Sequence, residues 1–354
     1  MDSRTTWPAL LGALTRGDSL TADESEWAMN EIMDGAGSPA RIAAFAIALR
    51  IKGTTVAEMT GLARAMLSHA TPIDLPGQFT DLVGTGGDGA HTVNVSTMGT
   101  IVAAAAGVPM IKHGNRAASS ACGAADVLEA LGVVIDLPPA ATAELASAVG
   151  VAFLFAPLYH PALRHAGPTR SELGVPTVFN FLGPVANPAR PSAQAVGVFD
   201  PRMGEIIAGV LASRGCSALV FHGSDGLDEL TTTGPSSVWV VHDGEVAKTE
   251  FSPSDLGLPQ ASVADLRGGD AAHNAAVVRA VLAGEQGPIR DIVLLNAAAA
   301  MAVTAGVPGP DALAAALADG YARAAEAVDS GAAGALLDRW IAESRRLDPR
   351  GSQP

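Results

Sequence analysis

From residue 7 to about residue 70 the apolar positions recur at the three-to-four spacing of amphipathic helices, and the breaks between them carry helix-start and helix-stop residues. Residues 7–14 present one apolar face. Thr21 with Glu24, and Thr55 with Glu58, each have the spacing of a capping box, in which the hydroxyl and the carboxylate satisfy backbone N–H groups reciprocally. Ser38-Pro39 is an N-cap followed by an N1 proline, and RIAAFAIALRIK runs from there to Gly53. These signals predict a small helical unit. TPIDLPGQ, residues 71–78, has the prolines and glycine of a hinge out of it.

After Gln78 the period changes. Short apolar runs at 79–83, 108–112, 151–155, 195–199 and 218–222 are separated by alanine-rich helical stretches, which predicts strands alternating with helices in a mainly parallel sheet. Runs at 238–241 and 246–251 flank Asp243-Gly244 and predict an antiparallel hairpin, and the chain from Asp270 onward reads as helical. The expected fold class is therefore α/β: a helical domain over 1–75 and an α/β domain over 76–345.

A chain of 354 residues with 48 % hydrophobic and 16 % charged residues has material for two cores and is not a disordered sequence. Its formal charge of −14 repels polyanions, so no nucleic-acid partner is expected, and a phosphorylated ligand must be held by backbone N–H groups, a few cations and metal. Cys122 and Cys216 form no CxxC pair, the N-terminus lacks the pattern of a signal peptide, and the apolar run 101–110 is too short to cross a bilayer. A cytoplasmic protein without a membrane partner is the expectation. Lysine occurs only at 52, 112 and 248, so a lysine inside a motif stands out.

Three segments carry candidate chemistry. Residues 81–97, DLVGTGGDGAHTVNVST, run from a strand through a glycine turn to a helix start near Ser96-Thr97. Glycines let backbone N–H groups approach phosphate oxygens, and a helix N-terminus adds favourable partial charge. Gly84, Gly86 and Gly89 also satisfy GxGxxG, but the helix start is delayed and no acid follows about twenty residues on, which argues against a dinucleotide site. Residues 112–120, KHGNRAASS, follow the next strand. They offer Lys112 and Arg116 as cations, and Ser119-Ser120 as an anion-binding helix cap. Residues 222–234, HGSDGLDELTTTG, bring Asp225, Asp228 and Glu229 close together after a further strand, as a Mg²⁺ site or an acid–base pair.

Together with VPTVFNFLGPVANPARP at 175–191, these segments resemble the anthranilate phosphoribosyltransferases over nearly the whole chain. The resemblance implies a helical domain joined by helices from about 160–185, packed on an α/β domain of the nucleoside phosphorylase-like fold. It implies homodimers and Mg²⁺-dependent transfer of phosphoribose from phosphoribosyl pyrophosphate to anthranilate in tryptophan biosynthesis, with two ions expected. Carried over to this sequence, the donor positions are Gly84, Gly87, Asp88, Thr92, Asn94, Val95, Ser96, Thr97, Lys112, His113, Gly114, Asn115, Arg116, Ala117, Ala118, Ser119, Ser120 and Ala124. Gly84, Asn115, Arg170 and His113 match anthranilate contacts; Ser96, Asp228 and Glu229 match metal ligands; and Lys112 with Asp88 are the expected catalytic groups. Ala124 departs from the family, where a hydroxyl is common, and Pro176 stands where arginine is frequent. A pyrimidine nucleoside phosphorylase of the same fold is the nearest alternative, distinguished by having no need of the Asp-Glu pair.

Overall fold

A computed structural model of the protein describes residues 5–117 and 121–352. The chain opens with helices α1 (Trp7–Thr15), α2 (Ala22–Met33), α3 (Pro39–Lys52) and α4 (Val56–Ser68). Both capping boxes form, with Thr21 and Thr55 accepting from the N–H groups of Glu24 and Glu58. Glu58 also ties the bundle together. Fully buried, it accepts from Leu20 N at 2.9 Å and pairs with Lys52 Nζ at 2.9 Å, so a charge without access to water is met by a cation and by backbone donors.

Among the described residues, seven strands follow in one sheet: β1 (Thr80–Gly84), β2 (Met110–Gly114), β3 (Val151–Phe155), β4 (Ala193–Gly197), β5 (Ser217–Gly223), β6 (Ser236–His242) and β7 (Glu245–Phe251). Their spatial order is β3-β2-β1-β4-β5-β6-β7, parallel from β3 to β5 and antiparallel through β6 and β7. The apolar runs lie within two residues of these strands, and the Asp243-Gly244 hairpin is present with both residues at positive φ.

Alternation along the strands divides the core. Leu82, Ala195 and Leu219 face one side, against the helices Val95–Ala105 and Pro288–Ala305. Val83, Val196 and Val220 face the other, where they join α1–α4 and the helix Arg202–Ala212. The segment 156–185 is a chain of short helices and 3₁₀ turns, and its Ala166, Val178 and Phe179 pack into the same core as α1–α4. Pro288–Ala305 has the length and apolarity of a membrane span, but its side chains lie mostly within the core.

Candidate active site

Because β1, β2 and β5 run parallel, their C-terminal ends deliver the glycine turn, the KHGN loop and the acidic loop to one edge of the sheet. Gly84 and Gly197 are paired residues at the ends of β1 and β4, and the acidic loop is laid directly over both. A Cβ on Gly84 would sit 2.3 Å from Asp228 Oδ2, and one on Gly197 would sit 1.7 Å from the Asp228 carbonyl oxygen. Only hydrogen fits at either position. Gly86 N–H then donates to Asp228 Oδ2 at 2.6 Å.

The acids divide by role. Asp225 accepts from the hydroxyls of Thr231 and Thr233 and from Leu227 N, so it is occupied in holding its own turn. Asp228 and Glu229, each 8 % exposed, face the glycine turn. Burial, reinforced by the neighbouring Asp88 charge, pushes the Asp228 carboxyl up to about 7. Glu229 is driven well above the usual carboxylate range by burial and by Asp228, although Lys112 and the Ser96 N–H favour its charged form.

Lys112, 2 % exposed, lies between these acids and the sheet. Its ammonium donates to Leu82 O at 2.7 Å and Ser96 Oγ at 3.1 Å. Burial lowers its pKa against the opposing pull of Asp81, Glu229 and Asp228. Asp88, Lys112 and Glu229 are thus neighbours on one side of the molecule. Among the described residues no group of three or more His, Cys, Asp or Glu side chains encloses a cation by itself. An adjacent, charge-strained Asp228-Glu229 pair of oxygen donors nonetheless suits Mg²⁺, which usually takes one or two carboxylates and completes its shell with water and substrate phosphate.

Ser96 stands in the first turn of the helix Val95–Ala105, with its hydroxyl at Lys112. Thr97 is buried and its Oγ1 has no partner among the described residues. Gly87 has φ +93° and lies against the Phe199 ring, while Thr92 makes an isolated bridge to Arg267. Asn94 is differently employed. Its amide donates to Cys122 O at 3.0 Å and accepts from Asn274 at 2.8 Å, so it braces the loop from both ends of the side chain.

In the second loop His113 is buried beside His160, with ring centroids 5.1 Å apart, and its Nδ1 meets Gly183 O at 3.2 Å. Burial, helped by His160, pushes its pKa down to about 3, and its Nε2 has no partner among the described residues. Asn115 is exposed and accepts from Arg116 N. The Arg116 charge is already engaged: the guanidinium makes two contacts with Glu129, at 2.6 and 2.9 Å, and one with Asp126. It acts as a brace for its loop, which the sequence reading of a free cation did not anticipate. The following helix, Ala124–Leu131, has Gly123 as its N-cap, with Asp126 accepting from Gly123 and Ala117 N–H groups. A serine cap at 119–120 is therefore not what starts that helix; Ala118, Ser119 and Ser120 themselves lie outside the described residues.

Arg170, on the short helix Gly167–Leu173, rests its guanidinium over the Phe179 ring at 5.6 Å. Among the described residues it makes no ion pair or side-chain hydrogen bond, and surrounding protein lowers its pKa.

Two supporting residues escaped the motifs. Asn296 accepts from Leu230 N at 3.0 Å and donates to Leu230 O at 2.9 Å, pinning the residue after Glu229. The signal was available, as a single amide inside the apolar run VLLNAAAA. Gly197 is the other, the last residue of β4 and part of none of the three motifs.

Two family models match the chain: "Glycosyl transferase family, helical bundle domain" over residues 8–70, and "Glycosyl transferase family, a/b domain" over residues 76–334. The anthranilate phosphoribosyltransferase of Thermobifida fusca (strain YX) is 61 % identical over 343 residues, covering 97 % of this chain and 98 % of that protein. The chain belongs to the anthranilate phosphoribosyltransferase family.

Other members are similar along their full length. The anthranilate phosphoribosyltransferase of Salinispora arenicola (strain CNS-205) is 56 % identical over 348 residues, covering 97 % of this chain and 98 % of that protein. The crystal structure of anthranilate phosphoribosyltransferase from Thermus thermophilus superposes with a TM-score of 0.87 at 41 % identity, covering 95 % of this chain and 99 % of that one. The Saccharomyces cerevisiae anthranilate phosphoribosyltransferase in complex with PRPP and Mg superposes with a TM-score of 0.87 at 27 % identity, covering 97 % and 99 % of the two chains.

Proposed function

We propose that the chain transfers 5-phosphoribose from phosphoribosyl pyrophosphate to the amine of anthranilate, in tryptophan biosynthesis, at the edge of the sheet where Gly84, Lys112 and Asp228-Glu229 meet. The observation that carries this reading is the burial of Lys112 among Asp81, Asp228 and Glu229 beneath a glycine turn, an arrangement suited to a pyrophosphate and its divalent cation. A phosphorolytic enzyme taking inorganic phosphate would have no use for the Asp-Glu pair.

The glycine turn and the first turn of the helix Val95–Ala105 supply N–H groups to the donor's phosphates. Asp228 and Glu229, with the Ser96 hydroxyl, are the residues that would hold Mg²⁺; when bound, magnesium neutralises charge developing on the leaving pyrophosphate. Lys112 adds a fixed cation on the same side, and Asp88 stands next to Asp228 to complete the acidic rim. Arg170, with no anionic partner of its own among the described residues, pairs with the anthranilate carboxylate, and Asn115 and the uncharged His113 border the same pocket. Held so, the arylamine nitrogen forms its bond to C1 as the C1–oxygen bond to pyrophosphate breaks, and its proton leaves to water or to pyrophosphate. No covalent enzyme intermediate is needed.

The reading also makes the protein a cytoplasmic homodimer. Ile51 on α3 is 81 % exposed, a large apolar side chain on the bundle that a partner copy would cover, and both cysteines are buried and far apart in the sequence without a CxxC motif, as suits a reducing compartment. The deciding assay follows anthranilate fluorescence. Loss of signal only when donor and Mg²⁺ are both present is expected; loss without either, or none with both, would overturn the assignment.

A further inference from the structure

A cleft of about 620 Å³ opens at the N-terminal edge of the same sheet, between α4 and the segments leading into β4 and β5. The strands it abuts are parallel to β1, so it is separated from the glycine turn by the length of a five-residue strand, roughly 16 Å. Three arginines line it from three separate segments: Arg64 on α4, Arg190 ahead of β4 and Arg214 ahead of β5. Among the described residues, no acid lines the cleft.

Three guanidinium groups converging without a lining acid are unusual in a chain of net charge −14. What counter-charge they have is slight. Asp23, exposed, and Glu26, half-buried, approach Arg64 from α2 only to 3.7 and 3.8 Å. Arg214 is accessible to solvent along its side chain and spends one N–H on Val185 O at 2.6 Å. Enough protein surrounds its guanidinium to lower its pKa, and the charges of Arg190 and Arg64 add to that. The Arg190 guanidinium makes no ion pair or hydrogen bond among the described residues, although its backbone is held at φ +48°, a left-handed conformation that costs a non-glycine residue energy. The Ser192 hydroxyl adds a neutral hydrogen-bonding group, the buried Asn187 amide being spent on Asp81, Ile111 O and Ala189 N, and Leu67 and Val185 give the cleft an apolar floor.

We propose that this cleft is a second binding site, for a small phosphate-bearing anion gripped between the helical bundle and the sheet by Arg64, Arg190 and Arg214. Guanidinium forks aimed from three directions offer more N–H donors than a single planar carboxylate can accept, whereas a tetrahedral phosphate or a pyrophosphate meets all three. The apolar floor gives room for an organic portion of the same ligand.

The test uses inorganic pyrophosphate as the probe. Its binding to the full chain, with Mg²⁺ present so that the Asp228-Glu229 edge is also competent, is followed by isothermal titration, with stoichiometry separating this cleft from the phosphate loops at the other edge. The wild type should bind two pyrophosphates per chain. Arg190→Gln should weaken one of the two at least tenfold, Arg64→Gln/Arg190→Gln should abolish it, and Arg190→Lys should restore part of the loss. The other site and the turnover at saturating substrates should change less than twofold. Arg190→Gln alters an exposed side chain, so its loss of binding with an unchanged melting temperature would exclude unfolding as the cause. A single pyrophosphate per chain in the wild type, or two that are indifferent to both variants, would overturn the proposal.

Discussion

Gly86 donates its backbone N–H to Asp228 Oδ2 at 2.6 Å, joining positions 142 residues apart. The contact exists because Gly84 and Gly197, side by side in the sheet, leave the acidic loop room to lie down. Gly197→Ala places a methyl group 1.7 Å from the Asp228 carbonyl oxygen, which is backbone and cannot swing aside. A loss of about 3 kcal/mol in urea unfolding is expected. An unchanged unfolding midpoint would show that the loop moves freely.

Asp228 and Asp225 should separate cleanly by mutation. Asp228→Asn with Glu229→Gln is expected to lower turnover at least 100-fold and to flatten its dependence on Mg²⁺, because the oxygen donors lose their charge. Asp225→Asn disturbs the hydrogen bonds to Thr231 and Thr233. Its cost should fall on thermal stability, about 1–2 kcal/mol, with the Mg²⁺ dependence retained. Equal Mg²⁺ profiles in the two variants would refute this division.

Lys112→Met keeps the volume of a buried side chain and removes its cation. The kcat/KM for the donor should fall at least 100-fold, about 3 kcal/mol of lost charge stabilisation. Steady-state kinetics at saturating anthranilate reads the effect directly, and a change below threefold would take Lys112 out of the chemistry.

Asp81 gives a pH signature. Its carboxyl, fully buried on β1, is pushed up to about 6 from 3.8 by burial, opposed by Lys112 and by the Asn187 hydrogen bond. A folded pKa above the unfolded one means that the native state holds the proton more tightly. Its stabilising contribution is present below about pH 4 and is lost as pH rises through about 6, on the order of 3 kcal/mol in total. His113 works in the opposite sense: its pKa is depressed, so its contribution is present above pH 6.5 and lost as pH falls towards 3. The difference between Asp81→Asn and the wild type isolates the first. Denaturant unfolding should show the variant gaining relative to the wild type between pH 4 and pH 7, and a pH-independent difference would mean Asp81 titrates normally.

Arg170→Ala should raise the KM for anthranilate by about 10–100-fold, the worth of a charge-assisted pair with a carboxylate, and leave the KM for the donor within about threefold. Parallel increases in both constants would deny Arg170 that contact.

The elements were legible where one local rule decides them. Apolar runs gave every strand to within two residues, because a buried parallel sheet admits little else, and Thr21/Glu24 and Thr55/Glu58 announced their helices through hydrogen bonds that span three residues. The motifs placed Lys112, Asp228 and Glu229 in one neighbourhood because loops after parallel strands share an edge. What stayed hidden depends on partners remote in sequence. Nothing near Arg116 says that Glu129 and Asp126 will claim its charge, nor that Asn94 will be spanned between Cys122 and Asn274. Residue type and spacing alone do not separate Asp225 from Asp228; the resemblance gave metal binding to Asp228 and Glu229, and the threonines that occupy Asp225 are the physical reason it is set apart.

The Asn296 clamp on Leu230 bears on how the protein is made. As the chain leaves the ribosome, both glycine- and lysine-bearing loops emerge well before the acids, and the residue that fastens the acids emerges later still. A nascent chain can therefore assemble most of its sheet while remaining unable to capture a metal-bound donor, and competence arrives only near the end of synthesis.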